Sequence, residues 1–593
     1  MKYKNILFTI LLIGFTSLNA SLFSDDVKEI VLPTHIVIVS GEKYISQSDL
    51  YDALSIEYKS MFEFWKDDTL RIKDKLLPTL KSTLRSFYDS RGFYDATFSI
   101  EETTTTVSID IKENQPVRVK DIDITSDYNL SSIVTFEKNE IFQAKKFISI
   151  KSHITSSLLK DGYCSSDLET KAYVDLDKHT VNLSYVLKKG GVCTFGKVTV
   201  NGNETIDDEV IKSHVRAEEG EIFNADLVKY TSNSLYGLKA FDTVLIGIDR
   251  KFYNVVPVDI TVKEIGKPYH FEIGAGYDTY VGPRIDSSLT KYNFLGNAQQ
   301  LSLKVGWSEL EQFAMLSYYK PVFINIYENF VGLGMKLGYS NLEYDGFYEK
   351  KSCFRSYLEY ETLRTNLKVG LAVEIVNITA VNNLDPGEEL QFAVNEGNFV
   401  LTYPYVDFTY DARDSKLNPK YGYYLSAYLE TGLSDDESTV YYKTLLEGRF
   451  IHSIDKLTMA LVGKVGIVDE ERKNSLPESK YFFAGGAYSN RAYGYRELGI
   501  ITSITEDTIY GARTWANLSF EVDYPIFGDL YGAVFTDNTM LTEDAYDFTG
   551  DIISSAGLGV RYVTPMGPFK LDFAMNVADT SQYGISFQIG QSF

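Results

Sequence analysis

The sequence predicts a chain in two parts, namely α+β repeats of the order strand, helix, helix, strand, strand, followed by an all-β transmembrane barrel of about sixteen antiparallel strands. The first observation is a pattern in the N-terminal half that recurs about every 75 residues. The second is the loss of helical periodicity in residues 267–593, whose strand-like segments lie about 20 residues apart. Because a membrane core offers no partner for open strand edges, these segments favour a closed barrel.

The N-terminus has the features of an export signal. Lys2 and Lys4 precede an apolar run at residues 6–15, and cleavage after Ala20 would remove residues 1–20. The run has about the length of a signal peptide and is too short to span a bilayer comfortably. An uncleaved anchor is the alternative. We therefore expect an exported protein whose membrane spans, if it has any, are strands.

The composition excludes several classes of function. The chain has 81 Asp and Glu against 58 Lys and Arg, a net charge of −23, whereas a nucleic-acid binder needs a basic face. Its three cysteines do not fit a zinc site, and its six histidines are scattered without the spacing of metal ligands. A Gly-x-Ser-x-Gly nucleophile elbow is absent from the sequence. We expect no metal, no cofactor, no nucleic-acid partner and no enzymatic activity.

Three repeats are expected at residues 27–115, 116–191 and 192–266. The clearest internal match is Asn139–Lys145 (NEIFQAK), which recurs as Gly220–Asp226 (GEIFNAD), each at the start of a helix-like stretch. The shared element order favours repeats over the alternative of three unrelated small domains. Small sheets of this kind have open edges that can pair with an extended peptide, although spacers are the other interpretation.

Two of the three cysteines lie in or beside the second repeat. If Asp177–Lys178 forms the hairpin turn of that repeat, Cys164 lies opposite about residue 191, close to Cys193. A disulfide between them is then geometrically possible in an oxidising compartment. Cys353 is left over, and the pattern leaves open whether the bridge forms.

The last segment has the clearest strand pattern. Tyr583–Phe593 alternates with a period of two, with mostly apolar residues at odd positions and small or polar residues at even positions. Such alternation puts one face against lipid and the other into the lumen. An edge strand of a soluble β-sandwich is the alternative. We expect an insertion signal here that consists of Tyr583, Phe587, Gly590 and Phe593.

Together these features resemble the BamA/TamA superfamily of outer-membrane assembly and translocation barrels. Besides the aromatic end at Phe593, two motifs carry the resemblance, Tyr410–Gly422 (YDARDSKLNPKYG) and Gly567–Asp572 (GPFKLD). A third is FFAGGAYSNRAYGYRELG at residues 482–499. The resemblance covers essentially the whole mature chain. It implies that the repeats are POTRA (polypeptide-transport-associated) domains in the periplasm and that the barrel lies in the bacterial outer membrane.

The resemblance also implies that residues at about 481–500 form the sixth outer loop, which folds back into the barrel. Its tip is Arg491-Ala492-Tyr493, where the family has Arg-Gly-Phe or Arg-Gly-Tyr, and it follows the glycine pair Gly485-Gly486. The glycines would let the loop pack against the barrel wall, and the aromatic rings would anchor it.

An arginine inside a barrel is costly unless it is paired. Glu521 and Asp537 lie on the two strand-like segments that follow the loop, and alternation puts Glu521 on the polar face. Adjacent antiparallel strands can bring both carboxylates to one lumenal position, and the resemblance implies the same pairing. We therefore expect Arg491 to bind Glu521 and Asp537. A lock that only stabilises the barrel is the alternative to a functional one.

Protein insertion or translocation is the function that the resemblance implies. The first barrel strand, Tyr269–Tyr277, contains Gly274 and Gly276, and glycine weakens strand pairing. The seam between the first and last strands would then open sideways. A client strand would pair with the exposed edge through backbone hydrogen bonds.

Three repeats on a chain of 593 residues resemble the TamA type. The expected partners are the outer-membrane bilayer, an inner-membrane-anchored TamB-like protein that docks on the POTRA domains, and unfolded outer-membrane or autotransporter client proteins. A BamA-like general assembly factor, a two-partner-secretion transporter and a passive channel remain alternatives.

Overall fold

The structure is a computed structural model of the 593-residue chain. It describes residues 34–589 except 60–66, 249–253, 279–281, 327–328, 345–346, 381–394, 436–437, 474, 502–508 and 565–566. The expected signal segment 1–20 therefore lies outside the described residues, as do Gly590 and Phe593 of the expected insertion signal. The chain divides into two compact units, of which the first holds the first two repeats and the second holds most of the third repeat and the barrel.

The first repeat packs two helices on a four-stranded sheet. Its elements are, in chain order, β1 (Thr34–Ser40), α1 (Gln47–Leu54), β2 (Arg71–Lys73), α2 (Leu77–Ser90), β3 (Thr97–Glu102) and β4 (Thr106–Lys112). The sheet order is β2-β1-β4-β3, with β1 parallel to β4. Leu80, Leu84 and Tyr88 recur every four residues along α2, so they share one helix face and are buried in the core.

The second repeat differs from its prediction in one helix. Its elements are β5 (Arg118–Ser126), α3 (Ala144–Lys160), β6 (Asp167–Asp175) and β7 (Thr180–Lys188), with the sheet order β5-β7-β6. The expected first helix is absent from residues 115–190, all of which are described. A single turn replaces it, in which the N–H groups of Ile133 and Val134 donate to the Leu130 carbonyl. β-Branched residues at this point disfavour continuation as a helix.

A disulfide lies at the end of the second repeat. Cys164 follows α3, and its sulfur is bonded to that of Cys193, with the two Cα atoms 6.0 Å apart. Both residues are buried, and Cys353 is a free cysteine in the barrel part of the chain.

The third repeat is joined to the barrel by polar contacts. Its elements are β8 (Thr194–Asn201), α4 (Asp208–Lys212), α5 (Ala225–Gly237), β9 (Phe241–Ile248) and β10 (Val255–Glu264), with the sheet order β8-β10-β9. The Glu264 carboxylate accepts hydrogen bonds from the Thr205 and Ile206 N–H groups at 2.8 and 3.0 Å. Asn297, in the turn between β12 and β13 of the barrel, accepts a hydrogen bond from the Asp207 N–H at 2.7 Å. The Glu264 bonds lie within the third repeat, and the bond between Asp207 and Asn297 joins the repeat to the turn between β12 and β13.

The barrel is one sixteen-stranded sheet in which neighbouring strands are antiparallel, as the sequence predicts. In the described residues, no helix is long and apolar enough to cross a membrane. With a two-residue hairpin (β22 and β23) between β21 and β24, the strands are β11 (Tyr269–Asp278), β12 (Gly282–Lys291), β13 (Gln300–Ser308), β14 (Glu311–Ile326), β15 (Asn329–Glu343), β16 (Phe347–Glu361), β17 (Thr365–Ala380), β18 (Gly397–Asp411), β19 (Gly422–Ser434), β20 (Thr439–Ile454), β21 (Leu457–Glu470), β22 (Ile500–Ile501), β23 (Ile509–Tyr510), β24 (Thr514–Phe527), β25 (Leu530–Thr542), β26 (Ile552–Thr564), β27 (Gly567–Asn576) and β28 (Tyr583–Ile589).

The first and last barrel strands form a seam. Cα atoms of β11 and β28 come within 8 Å of each other, but within the described ranges no backbone ladder joins the two strands. β28 has 7 residues and β11 has 10, whereas β14 and β17 have 16 each. In the described residues, both strands at the seam are therefore shorter than the long strands in the middle of the wall.

Candidate functional site

The long loop between β21 and β24 is shaped by short backbone pairings. Phe482 pairs with Ala512 and Ala484 with Leu498, and β22 pairs with β23. Gly485 has φ +99°, and a Cβ there would overlap the Gly494 carbonyl oxygen. The next residue, Gly486, has φ +85°. Because glycine adopts positive φ without strain, this pair allows the turn that leads to the tip.

The loop tip is held by an ion pair with two hydrogen bonds in parallel. Nε and Nη2 of Arg491 each donate to one oxygen of Asp537 at 2.9 Å, and the backbone N–H of Arg491 donates to the same carboxylate at 3.1 Å. Nη1 of Arg491 donates to Glu521 at 2.6 Å. The structure thus brings together the three residues that the sequence selected, and all three are buried.

Two further residues, which the sequence analysis missed, are hydrogen-bonded into the cluster. Nη2 of Arg561 donates to Glu521 at 2.9 Å, and Nη1 of the same guanidinium donates to Asp572. Asp572 also lies 3.4 Å from Nη1 of Arg491. Four successive strands, β24 to β27, therefore each contribute one charged side chain, namely Glu521, Asp537, Arg561 and Asp572. We call these four and Arg491 the tip clamp.

The tip clamp pairs charges that would otherwise be costly to bury. The carboxylates of Glu521 and Asp572 each contact two guanidinium groups, those of Arg491 and Arg561. The Phe535 ring adds an apolar support, with its centroid 3.3 Å from Cζ of Arg491. Each buried carboxylate of the clamp therefore has a charged donor, and the arginine lies against an aromatic face.

Alanine at the tip fits without strain. Ala492, which stands where the family has Gly, is fully buried and is not among the residues with positive φ. Its methyl group packs in a small cluster with Phe535, Ala574 and Tyr493. The Tyr493 hydroxyl accepts a hydrogen bond from the Asn576 amide on β27. The tip therefore contacts strands on the C-terminal side of the barrel wall.

A second group of charges, which the sequence analysis also missed, holds the base of the loop. Nζ of Lys480 lies 3.0 Å from Glu374 on β17 and 2.9 Å from Glu430 on β19. It also lies 4.2 Å from the centroid of the Tyr403 ring on β18. The carbonyl of Lys480 accepts from Lys443 on β20 at 2.6 Å. We call Lys480 with these four wall residues the base clamp; no local sequence pattern distinguishes Lys480 from a solvated loop lysine.

The remaining predicted residues lie at the seam. Tyr583 and Phe587 are exposed on the outer face of β28, at 57% and 44%. Gly274 and Gly276 lie on β11 and pair with Asp286 and Arg284 on β12. In the described residues, no group of three or more His, Cys, Asp or Glu is placed to hold a metal ion.

Comparisons with known proteins agree with this architecture. Residues 293–593 match the model of the Omp85 superfamily domain, and residues 115–190 and 193–264 match the POTRA model, described as a surface antigen variable number repeat. The outer membrane protein assembly factor BamA of Nitratidesulfovibrio vulgaris is 23% identical over 94% of this chain and 73% of its own length. BamA of Neisseria meningitidis serogroup B is 22% identical over 86% of this chain and 72% of its own length.

One solved structure supports the fold. It is the crystal structure of BamA from Haemophilus ducreyi lacking POTRA domains 1–3, with a TM-score of 0.52 and 17% identity, covering 80% of this chain and 99% of that one.

Proposed function

Because the chain belongs to the Omp85 superfamily, we propose that it inserts or translocates client proteins through the seam between β11 and β28, without a catalytic step. The protein lies in the bacterial outer membrane, with its POTRA domains in the periplasm. The BamA relatives are named as outer membrane protein assembly factors, and the assembly of outer-membrane proteins is the general activity that we propose for this chain.

The seam carries the proposal. Its two strands are the first and last of the sheet and lie side by side, and no ladder joins them in the described residues, so an extended strand can pair with either of them once the seam opens. A client strand that pairs there exchanges hydrogen bonds with water for hydrogen bonds with a sheet edge, and this exchange needs no nucleotide.

The loop argues against a passive channel. The base clamp ties it to β17–β20, and the tip clamp ties it to β24–β27. The loop therefore contacts two different parts of the wall from within the lumen. A wide solute path through the barrel would require both sets of buried ion pairs to open.

The test uses the full chain in proteoliposomes and a urea-denatured eight-stranded outer-membrane barrel as the client probe. Folding is followed by the heat-modifiable mobility of the probe on gels. We expect faster folding than in empty liposomes, and inhibition by a synthetic peptide with the sequence of residues 583–593 but not by its scrambled version. Equal rates with and without the protein would contradict the proposal.

We assign the finer role to the TamA type, in which the POTRA domains dock an inner-membrane-anchored TamB-like partner. The support is that three α+β units precede the barrel in the described residues. Cross-linking in native envelopes and identification of the captured proteins separates the alternatives. A large inner-membrane-anchored protein is the expected result; periplasmic lipoproteins with many unfinished barrels would indicate a BamA-like role, and one large secreted protein would indicate two-partner secretion.

A further inference from the structure

The last strand lies at the seam and is attached to the wall through its ladder with β27. β28 pairs with β27 through seven residues, Tyr583–Ile589, and no ladder joins its other edge to β11 in the described residues. β11, by comparison, pairs with β12 over ten residues. Contacts on the inner face of a strand at the seam therefore add to the attachment that its ladder supplies.

The loop tip contacts this strand from inside the barrel. The Gln582 side chain, immediately before β28, donates from Nε2 to the Ala492 carbonyl at 3.1 Å. At Gly584 the backbones approach so closely that a Cβ would overlap the Arg491 carbonyl oxygen and would lie 3.2 Å from the carbonyl carbon of Ala492. The tip therefore lies directly on the start of β28, with no side chain between the two backbones.

We propose that the loop tip is a strut that holds β28 in the closed seam, and that Gly584 and Gln582 are the positioning residues that seat it. The inference rests on the proposed function, because it assigns the regulation of the same seam. Seam opening then requires either that the tip leave Gly584 or that β28 slide away from the tip.

The tip clamp gives the strut its stiffness. Arg491 presents its carbonyl to Gly584 while its side chain and its own N–H are bonded to Asp537 on β25. Since these groups belong to one residue, the position of the carbonyl is fixed by the ion pair. The contact therefore transmits the rigidity of β24–β27 to a strand that pairs with only one of them.

The test is hydrogen–deuterium exchange, read by mass spectrometry, on the full chain in lipid nanodiscs. Gly584→Ala adds a methyl group that displaces the tip, and we expect exchange of the β28 amides to rise about tenfold. Gln582→Ala removes only the hydrogen bond to Ala492, so a smaller rise of about threefold is expected in the same peptide.

Two matched controls separate the strut from general destabilisation. Ser586→Ala changes a buried side chain on the same strand whose hydroxyl has no partner in the described residues, so exchange should stay within about twofold of wild type. Gly463→Ala adds a methyl group on β21 that meets only Leu518 at 3.8 Å, and it should likewise have little effect. Exchange in β14–β18 should be unchanged in every variant.

Each outcome bears on the strut alone. A rise confined to β28 in Gly584→Ala and Gln582→Ala supports it. Unchanged β28 exchange in both variants, or a rise spread evenly over the barrel, overturns it. Because exchange is measured without client, a wild-type protein that fails to fold the eight-stranded probe would remove the proposed function without affecting this result.

Discussion

Replacing Arg491 with methionine should destabilise the folded barrel, mainly because the Asp537 carboxylate loses its charged partner. Glu521 and Asp572 keep Arg561 as a charged partner. Among the described residues, the Asp537 carboxylate accepts hydrogen bonds from Arg491 alone, and it is fully buried. Removing one partner of a buried ion pair costs about 3–5 kcal/mol, because the remaining charge is left desolvated. We expect Arg491→Met to lower the free energy of unfolding by about that amount.

The assay is a denaturant titration of the refolded protein in bilayers, with the folded fraction read from heat-modifiable mobility. The matched control is Arg496→Met, since Arg496 lies in the same loop and stacks on Tyr344 and Tyr495 at 4.6 and 4.8 Å from the ring centroids. Cation–π contacts of this kind contribute about 1 kcal/mol. The double variant Arg491→Met/Asp537→Leu should recover at least half of the loss, because it removes the orphaned charge. Equal losses for the two arginine variants would refute the reasoning.

Three further results are expected. Lys480→Met should cost about 3–5 kcal/mol in the same titration, because Glu430 loses its buried ammonium partner; a loss below about 1 kcal/mol would show that the base clamp is dispensable. Ala492→Gly should destabilise by about 1 kcal/mol, since it removes a buried methyl group and frees the backbone; a gain in stability would contradict the packing described for the tip. Burial lowers the pKa of His214 to about 4 from 6.5, so the unfolded chain binds a proton between those values that the folded third repeat does not. The free energy of unfolding of the third repeat therefore has its full value above pH 6.5 and falls as the pH decreases through this window. Hydrogen exchange of the third repeat, measured at pH 7 and pH 5 and corrected for intrinsic rates, should show this loss of stability in the wild type and not in His214→Gln.

The site was predictable where alternation and family resemblance pointed to the same residues. Glu521 and Asp537 lie on adjacent strands directly after the loop. Alternation put Glu521 on the polar face, and the resemblance implied the pairing of both carboxylates with Arg491. Arg561 and Asp572 lie one and two strands further on. Whether they reach the same position depends on the stagger of four strands and on the depth of the loop. Neither quantity can be read from a single strand's pattern, although Asp572 ends one of the motifs that carried the resemblance.

The fold was predictable to the level of its repeats and less so within them. A helix such as α2 shows its core face in sequence, with Leu80, Leu84 and Tyr88 at a spacing of four. The expected first helix of the second repeat had no comparable face, and only the analogy with its neighbours suggested it. There the structure has a turn at Leu130–Val134, since local hydrogen bonds satisfy the backbone without a full helix.

The two clamps differ in what they hold. The base clamp joins the loop to β17–β20, far along the sheet from the seam, so its loss should loosen the loop without moving β28 directly. The tip clamp acts within four strands of β28, and the carbonyl of Arg491 touches that strand itself. Arg491→Met should therefore raise β28 exchange as well as lower stability, whereas Lys480→Met should lower stability alone. If both variants raised β28 exchange equally, the loop would act as one rigid plug and the strut could not be assigned to its tip.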